Sequence, residues 1–126
     1  VNTKTLKSIE ELRQAIFKFK YDLYKEIVIN DKVHSANTME AMRVFHALFL
    51  QTIAHLISLL DSTEVPPPSS FSSTIQPKFK SIQQTLARLI KSNRISYALV
   101  YNMLFQFSTQ HPFDLGVREP VAENSF

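Results

Sequence analysis

A chain of 126 residues with 44% apolar and 20% charged side chains is long enough for one domain with a real core, and the absence of Cys excludes a disulfide framework or a thiolate metal site. Its single Gly argues against a fold built on tight β-turns and excludes Gly-rich phosphate loops of the Walker or dinucleotide type. The formal net charge is only +3 and no Asn-x-Ser/Thr sequon occurs, so an intracellular protein, nuclear or cytoplasmic, is expected.

The chain starts at Val1, the form expected of a fragment or processed piece. Residues 1–126 read as one all-α domain. Ser8-Ile9-Glu10-Glu11 has capping-box form and predicts the start of helix A, about 9–29. Leu12, Ile16, Phe19, Leu23 and Ile27 then recur at helical spacing, with Phe17, Tyr21, Tyr24 and Val28 widening the apolar face. Asn30-Asp31-Lys32 ends the pattern, since Asn and Asp bond their own backbone and favour turns.

Asn37 offers an N-cap with Glu40 three residues on, opening helix B, about 38–61. At 100° per residue, Met42, Phe45, Leu48, Phe49, Ile53, Leu56, Ile57, Leu59 and Leu60 cover half the circumference, which predicts the central core helix. Its run from Val44 to Leu60 has 17 positions, five of them polar, short of the ~20 predominantly apolar residues of a bilayer span, so no membrane span is expected. His46 falls at the apolar edge and reads as a core histidine.

The stretch 62–76, with Pro66, Pro67 and Pro68 and a Ser/Thr cluster, breaks all periodicity and reads as a linker with too little apolar mass to pack. Pro77 suits a first helical turn, and Phe79, Ile82, Leu86, Leu89 and Ile90 define helix C, about 77–91. Lys91-Ser92-Asn93 predicts a tight turn. Ile95, Leu99, Val100, Met103, Leu104 and Phe107 define helix D, about 94–109, ended by His111-Pro112. The tail 113–126 has no period and is expected to be extended or disordered. Together these elements predict a four-helix bundle of two hairpins, A with B and C with D, packed across the linker.

The chemistry is sparse. No H-E-x-x-H or other metal spacing links His34, His46, His55 and His111, and no nucleophile has a base beside it, so neither an enzyme, a metal nor a cofactor is expected. Charge is more informative. Residues 1–64 hold eight cations and eight acids, whereas 65–113 hold Lys78, Lys80, Arg88, Lys91 and Arg94 with no acid, so the potentials on helix C are expected to add.

Aromatics on helix A (Phe17, Tyr21, Tyr24) and helix D (Tyr97, Tyr101, Phe105) extend beyond one packing seam, and exposed apolar area marks partner surfaces. The expectation is a non-catalytic docking, scaffold or dimerisation module. It would bind a partner helix, a peptide or a second copy in an apolar groove bordered by Lys80, Arg88, Lys91 and Arg94. An acidic segment fits that border better than nucleic acid, because four or five cations give weak, salt-sensitive phosphate binding; a nucleic-acid module using helix C is the alternative. The stretch from Pro77 to Phe105 resembles the first two helices of a cyclin box in its apolar helix, Ser-bearing turn and apolar helix. It covers under a quarter of the chain, and a cyclin box needs three more helices where this chain meets Pro112, so the resemblance implies no function here.

Overall fold

The computed structural model describes residues 3–30, 38–60, 68–112 and 114–116. These form an all-α bundle of four helices: α1 (Thr3–Tyr24), α2 (Thr38–Leu60), α3 (Ile75–Lys91) and α4 (Tyr97–Thr109). α1 begins upstream of the expected capping box, because nothing between Thr3 and Ser8 breaks a helix and Lys and Leu favour one. Ser8 is instead a buried interior residue whose hydroxyl donates to the Lys4 carbonyl at 2.9 Å. Glu11, the Glu of the expected box, pairs with Arg88 of α3, and Glu10 accepts from Arg13 and Gln14 on the helix surface at 2.7 and 2.6 Å.

α1 does not stop at Tyr24 but widens into a π-helical turn, Lys25–Ile29, closed by the Asn30 amide on the Lys25 carbonyl at 2.8 Å. This wider turn still buries Ile27 and sets Glu26 beside the start of α3, where its carboxylate accepts from the Ser72 hydroxyl at 2.7 Å. The N-cap expected at Asn37 lies outside the described residues.

The second half of the expected linker packs, contrary to the sequence reading. Phe71 is buried, with ring centroids 5.9 Å from Phe19 and 5.5 Å from Phe79, and Pro68 is buried beside it. A single large ring outweighs the polarity of its Ser neighbours, because burying it removes 150 Å² or more from water, as aromatic side chains roughly do. Ser72 then caps α3, its hydroxyl accepting from the Ile75 amide at 3.2 Å and its carbonyl from the Gln76 amide at 3.0 Å. By the range of α3, Pro77 is its third residue and falls in the first turn, as the sequence suggests.

α3 ends on Asn93, which takes φ +59°. The Asn93 amide bonds the Ile90 carbonyl and the Arg94 amide bonds the Leu89 carbonyl, the paired bonds of a Schellman cap. Ser96, extended, then caps α4 by accepting from the Leu99 amide at 3.3 Å.

Two pairs of contacts set each helix direction. Asp22 meets Lys78 and Glu11 meets Arg88, so α1 and α3 are antiparallel. Tyr24 meets Phe45 and Lys20 meets Phe49, so α1 and α2 are antiparallel as well. α2 and α3 are therefore parallel, and parallel neighbours need a connection about as long as the bundle. α3 packs chiefly on α1, with Phe79 reaching His55 of α2; α4 packs chiefly on α2, with Phe107 reaching Phe17 of α1. The α3–α4 pair is joined by a tight turn as a hairpin is, yet its helices pack on opposite flanks of α1 and α2 more than on each other.

On α2, Phe45, Phe49, Ile53 and Leu56 are at most 1% exposed. This 23-residue helix nonetheless holds an 18-residue stretch with a mean hydropathy of 1.4, which satisfies the length and composition of a membrane span, more than the 17-residue run suggested. The buried face packs on α1 and α4, and 33% of that stretch is buried.

Candidate interaction surfaces

The α4 aromatics form one ridge. Tyr97, Tyr101 and Phe105 recur every four residues, so they stack along one side of the helix, beside the core positions Val100, Leu104 and Phe107. Tyr97 is 51% and Phe105 61% exposed, while Tyr101 is half-buried against the core. Tyr21 and Tyr24 belong elsewhere. Tyr24 packs edge-on against Phe45 at 5.4 Å, and Tyr21 lies under the Lys25 ammonium at 5.2 Å, so both tyrosines of α1 have partners within the chain.

The cations of α3 divide into two groups. Arg88 pairs with Glu11, and Lys78 with Asp22 at 3.5 Å, so α1 supplies the acids that the local sequence around α3 lacks. The expectation of unopposed, additive cations therefore fails for these two residues, for a reason invisible in sequence: their neighbours in space lie 77 and 56 positions away. Lys80, Lys91 and Arg94 are exposed. Because α3 and α4 occupy opposite flanks, the basic stripe and the aromatic ridge do not border one groove. They approach each other only at the α3–α4 turn, where Arg94 and Tyr97 stand three residues apart.

The grooves among the described residues include two beside α1. One, about 160 Å³, lies between α1 and α3 and is lined by Ala15, Phe19, Asp22, Lys78 and Thr85. The other, about 240 Å³, is walled by Leu23, Ile27, Val44, Leu48 and Phe71, with the Glu26–Ser72 bond at its edge. Both fall below the ~300 Å³ at which small-molecule sites usually begin. Among the described residues no group of three or more His, Asp or Glu side chains has metal-binding geometry. His46 is half-buried, and the His55 ring meets the edge of Phe79 and bonds the Gln51 carbonyl at 2.9 Å.

Family models, curated proteins and solved structures all show no match to this chain.

The most unusual group was not singled out from the sequence. Lys20 is 1% exposed, its ammonium 4.8 Å from the centroid of the Phe49 ring and donating to the Asp114 carbonyl at 2.6 Å. Burial holds its pKa below the ordinary lysine value, an effect that the Asp114 charge partly opposes. The signal was present: Lys20 stands four residues after Ile16 and three before Leu23, inside the apolar face of α1. Its partner was hidden because the tail has no period. Residues 114–116, expected to be extended or disordered, fold back onto α1, whereas Phe113 and 117–126 lie outside the described residues.

Proposed function

We propose that this domain is a non-catalytic protein–protein interaction module that docks a partner helix or peptide through the Tyr97–Tyr101–Phe105 ridge of α4. The observation that carries the reading is the pair of large, half or more exposed rings, Tyr97 and Phe105, held at helical spacing on a rigid, capped element. Aromatic anchors of this kind dominate binding energies at protein interfaces, and an apolar ridge in water has a standing drive to be covered. Tyr101, half-buried against the core between Tyr97 and Phe105, continues the apolar surface for an amphipathic partner. Arg94 at the base of the ridge favours an acidic residue at one end of that partner.

Selection from a displayed library of helical peptides tests this. The ridge reading predicts enriched peptides with apolar residues at i, i+3 or i+4, and i+7, whose affinity falls by about tenfold or more in Tyr97→Ala/Phe105→Ala, since each ring is worth more than ~1 kcal/mol at an interface centre. Enriched peptides indifferent to that double substitution would overturn it. Reversing Lys80 and Lys91 tests the nucleic-acid alternative, which requires binding that falls steeply with salt and vanishes with those charges.

A further inference from the structure

The larger groove, about 240 Å³, is built at the π-helical turn. Leu23 and Ile27 line it from α1 and that turn, Val44 and Leu48 from α2, Phe71 from the segment before α3, and Ile75 from the first position of α3. Val44 and Leu48 are half-buried and the other four are buried, so most of the lining is apolar. Its polar residues are Ser70, Ser72 and Glu26, the last carried by the π turn itself. Such turns are uncommon and recur at functional sites.

Glu26 differs from the other four acids of the described helices. Glu10, Glu11, Asp22 and Glu40 each pair with an Arg or Lys, whereas Glu26 pairs with no cation among the described residues. Its chain neighbour Lys25 lies over the Tyr21 ring at 5.2 Å, and Lys78, in the first turn of α3, is taken by Asp22 at 3.5 Å. Ser72 engages one carboxylate oxygen, Oε2, at 2.7 Å. A carboxylate offers about four acceptor positions on two oxygens, so this single hydroxyl leaves room for a further donor. Glu26 is also half-buried beside apolar walls, where water screens its attraction for a cation less than at an open surface.

We propose that this groove binds a small amphipathic cation, an apolar ring or short chain bearing a primary ammonium, with the apolar part against Leu23, Ile27, Val44 and Leu48 and the ammonium on the Glu26 carboxylate. Charge selects this occupant: the unpaired carboxylate repels a fatty acid or phosphate, and the apolar walls offer a bare inorganic cation no further ligands. Size sets its scale. An apolar cavity of ~150 Å³ takes up benzene, so about 240 Å³ admits a ring with a short ammonium-bearing tail while excluding the larger ligands of ~300 Å³ sites. No residue of α4 lines the groove, so the site does not rest on the docking reading.

The experiment titrates the full, nitrogen-15-labelled chain at neutral pH with 2-phenylethylammonium and hexylammonium, and with 2-phenylethanol as the uncharged counterpart. At least one ammonium should shift the backbone amides of Leu23, Glu26, Ile27, Val44 and Leu48 saturably, with a dissociation constant of about 1 mM or tighter. Glu26→Gln keeps an acceptor for Ser72 and removes the charge, so it should weaken the ammonium about tenfold or more and leave 2-phenylethanol unchanged. Leu48→Trp, from a half-buried position, should fill the groove and abolish binding of both; Val44→Phe serves the same purpose if Leu48→Trp disturbs the helical circular dichroism. Saturable shifts from neither ammonium, at concentrations about tenfold above 1 mM, would overturn the proposal. So would equal affinity for 2-phenylethylammonium and 2-phenylethanol, and so would a folded Glu26→Gln chain that binds the ammonium as the wild type does.

Discussion

Phe71→Ala separates a packed anchor from a solvated spacer. Phe71 is 4% exposed, and its ring lies 5.5 Å from Phe79 and 5.9 Å from Phe19, so truncation removes a buried ring and leaves a cavity between α1 and α3. Phe→Ala changes at such sites cost about 3–5 kcal/mol, a large share of the ~5–15 kcal/mol that holds a domain folded. In urea, where m is about 1–3 kcal/mol/M for small proteins, the unfolding midpoint should fall by at least about 1 M. Ser73→Ala, two residues on and exposed, should move stability by no more than about 0.5 kcal/mol. Equal midpoints for the two variants would refute the anchoring of α3 by Phe71 and restore the spacer reading.

Lys20 predicts an alkaline slope. Its folded pKa lies below the ordinary 10.5, so the unfolded chain binds this proton more tightly and stability rises with pH from the lowered value up to 10.5. The wild type should therefore gain on Lys20→Met through that window in urea titrations, and parallel curves would refute the assignment. Arg88→Glu should cost up to about 1 kcal/mol by opposing Glu11, less in high salt because both groups are half exposed, whereas Lys80→Glu should leave the melting temperature unchanged. Equal effects would mean that the Glu11–Arg88 pair contributes nothing in solution. Asn93→Val should lose roughly 1–2 kcal/mol, since a β-branched residue resists positive φ, while Asn93→Gly should hold or gain stability; equal melting temperatures would remove the left-handed cap.

The helices were legible because their apolar residues recur at a period that only one conformation satisfies: Leu12, Ile16, Phe19 and Leu23 on α1, and Phe79, Ile82, Leu86 and Leu89 on α3, are all buried. Termini were less so. The Ser8 capping box competed with an equally good helical start at Thr3, and a local motif does not say which start wins. Contacts that join distant segments were the least legible. Nothing local to Arg88 announces Glu11, nothing near Phe71 announces Phe19, and the bond that ties the tail to α1 joins Lys20 and Asp114, 94 positions apart. The ridge residues Tyr97 and Phe105 were visible as a surplus of aromatics. Their separation from Lys80 and Arg88 followed only once α3 and α4 were placed on opposite flanks.

Site-specific photo-crosslinking in cells tests the docking ridge most directly. A benzophenone side chain at Phe105 is compared with the same group at Gln84, exposed on the outer face of α3. The ridge reading predicts a discrete adduct from position 105 that is absent from position 84 and lost when Tyr97→Ala is added. Matching adduct patterns from the two positions, or an adduct at 105 unaffected by Tyr97→Ala, would contradict it.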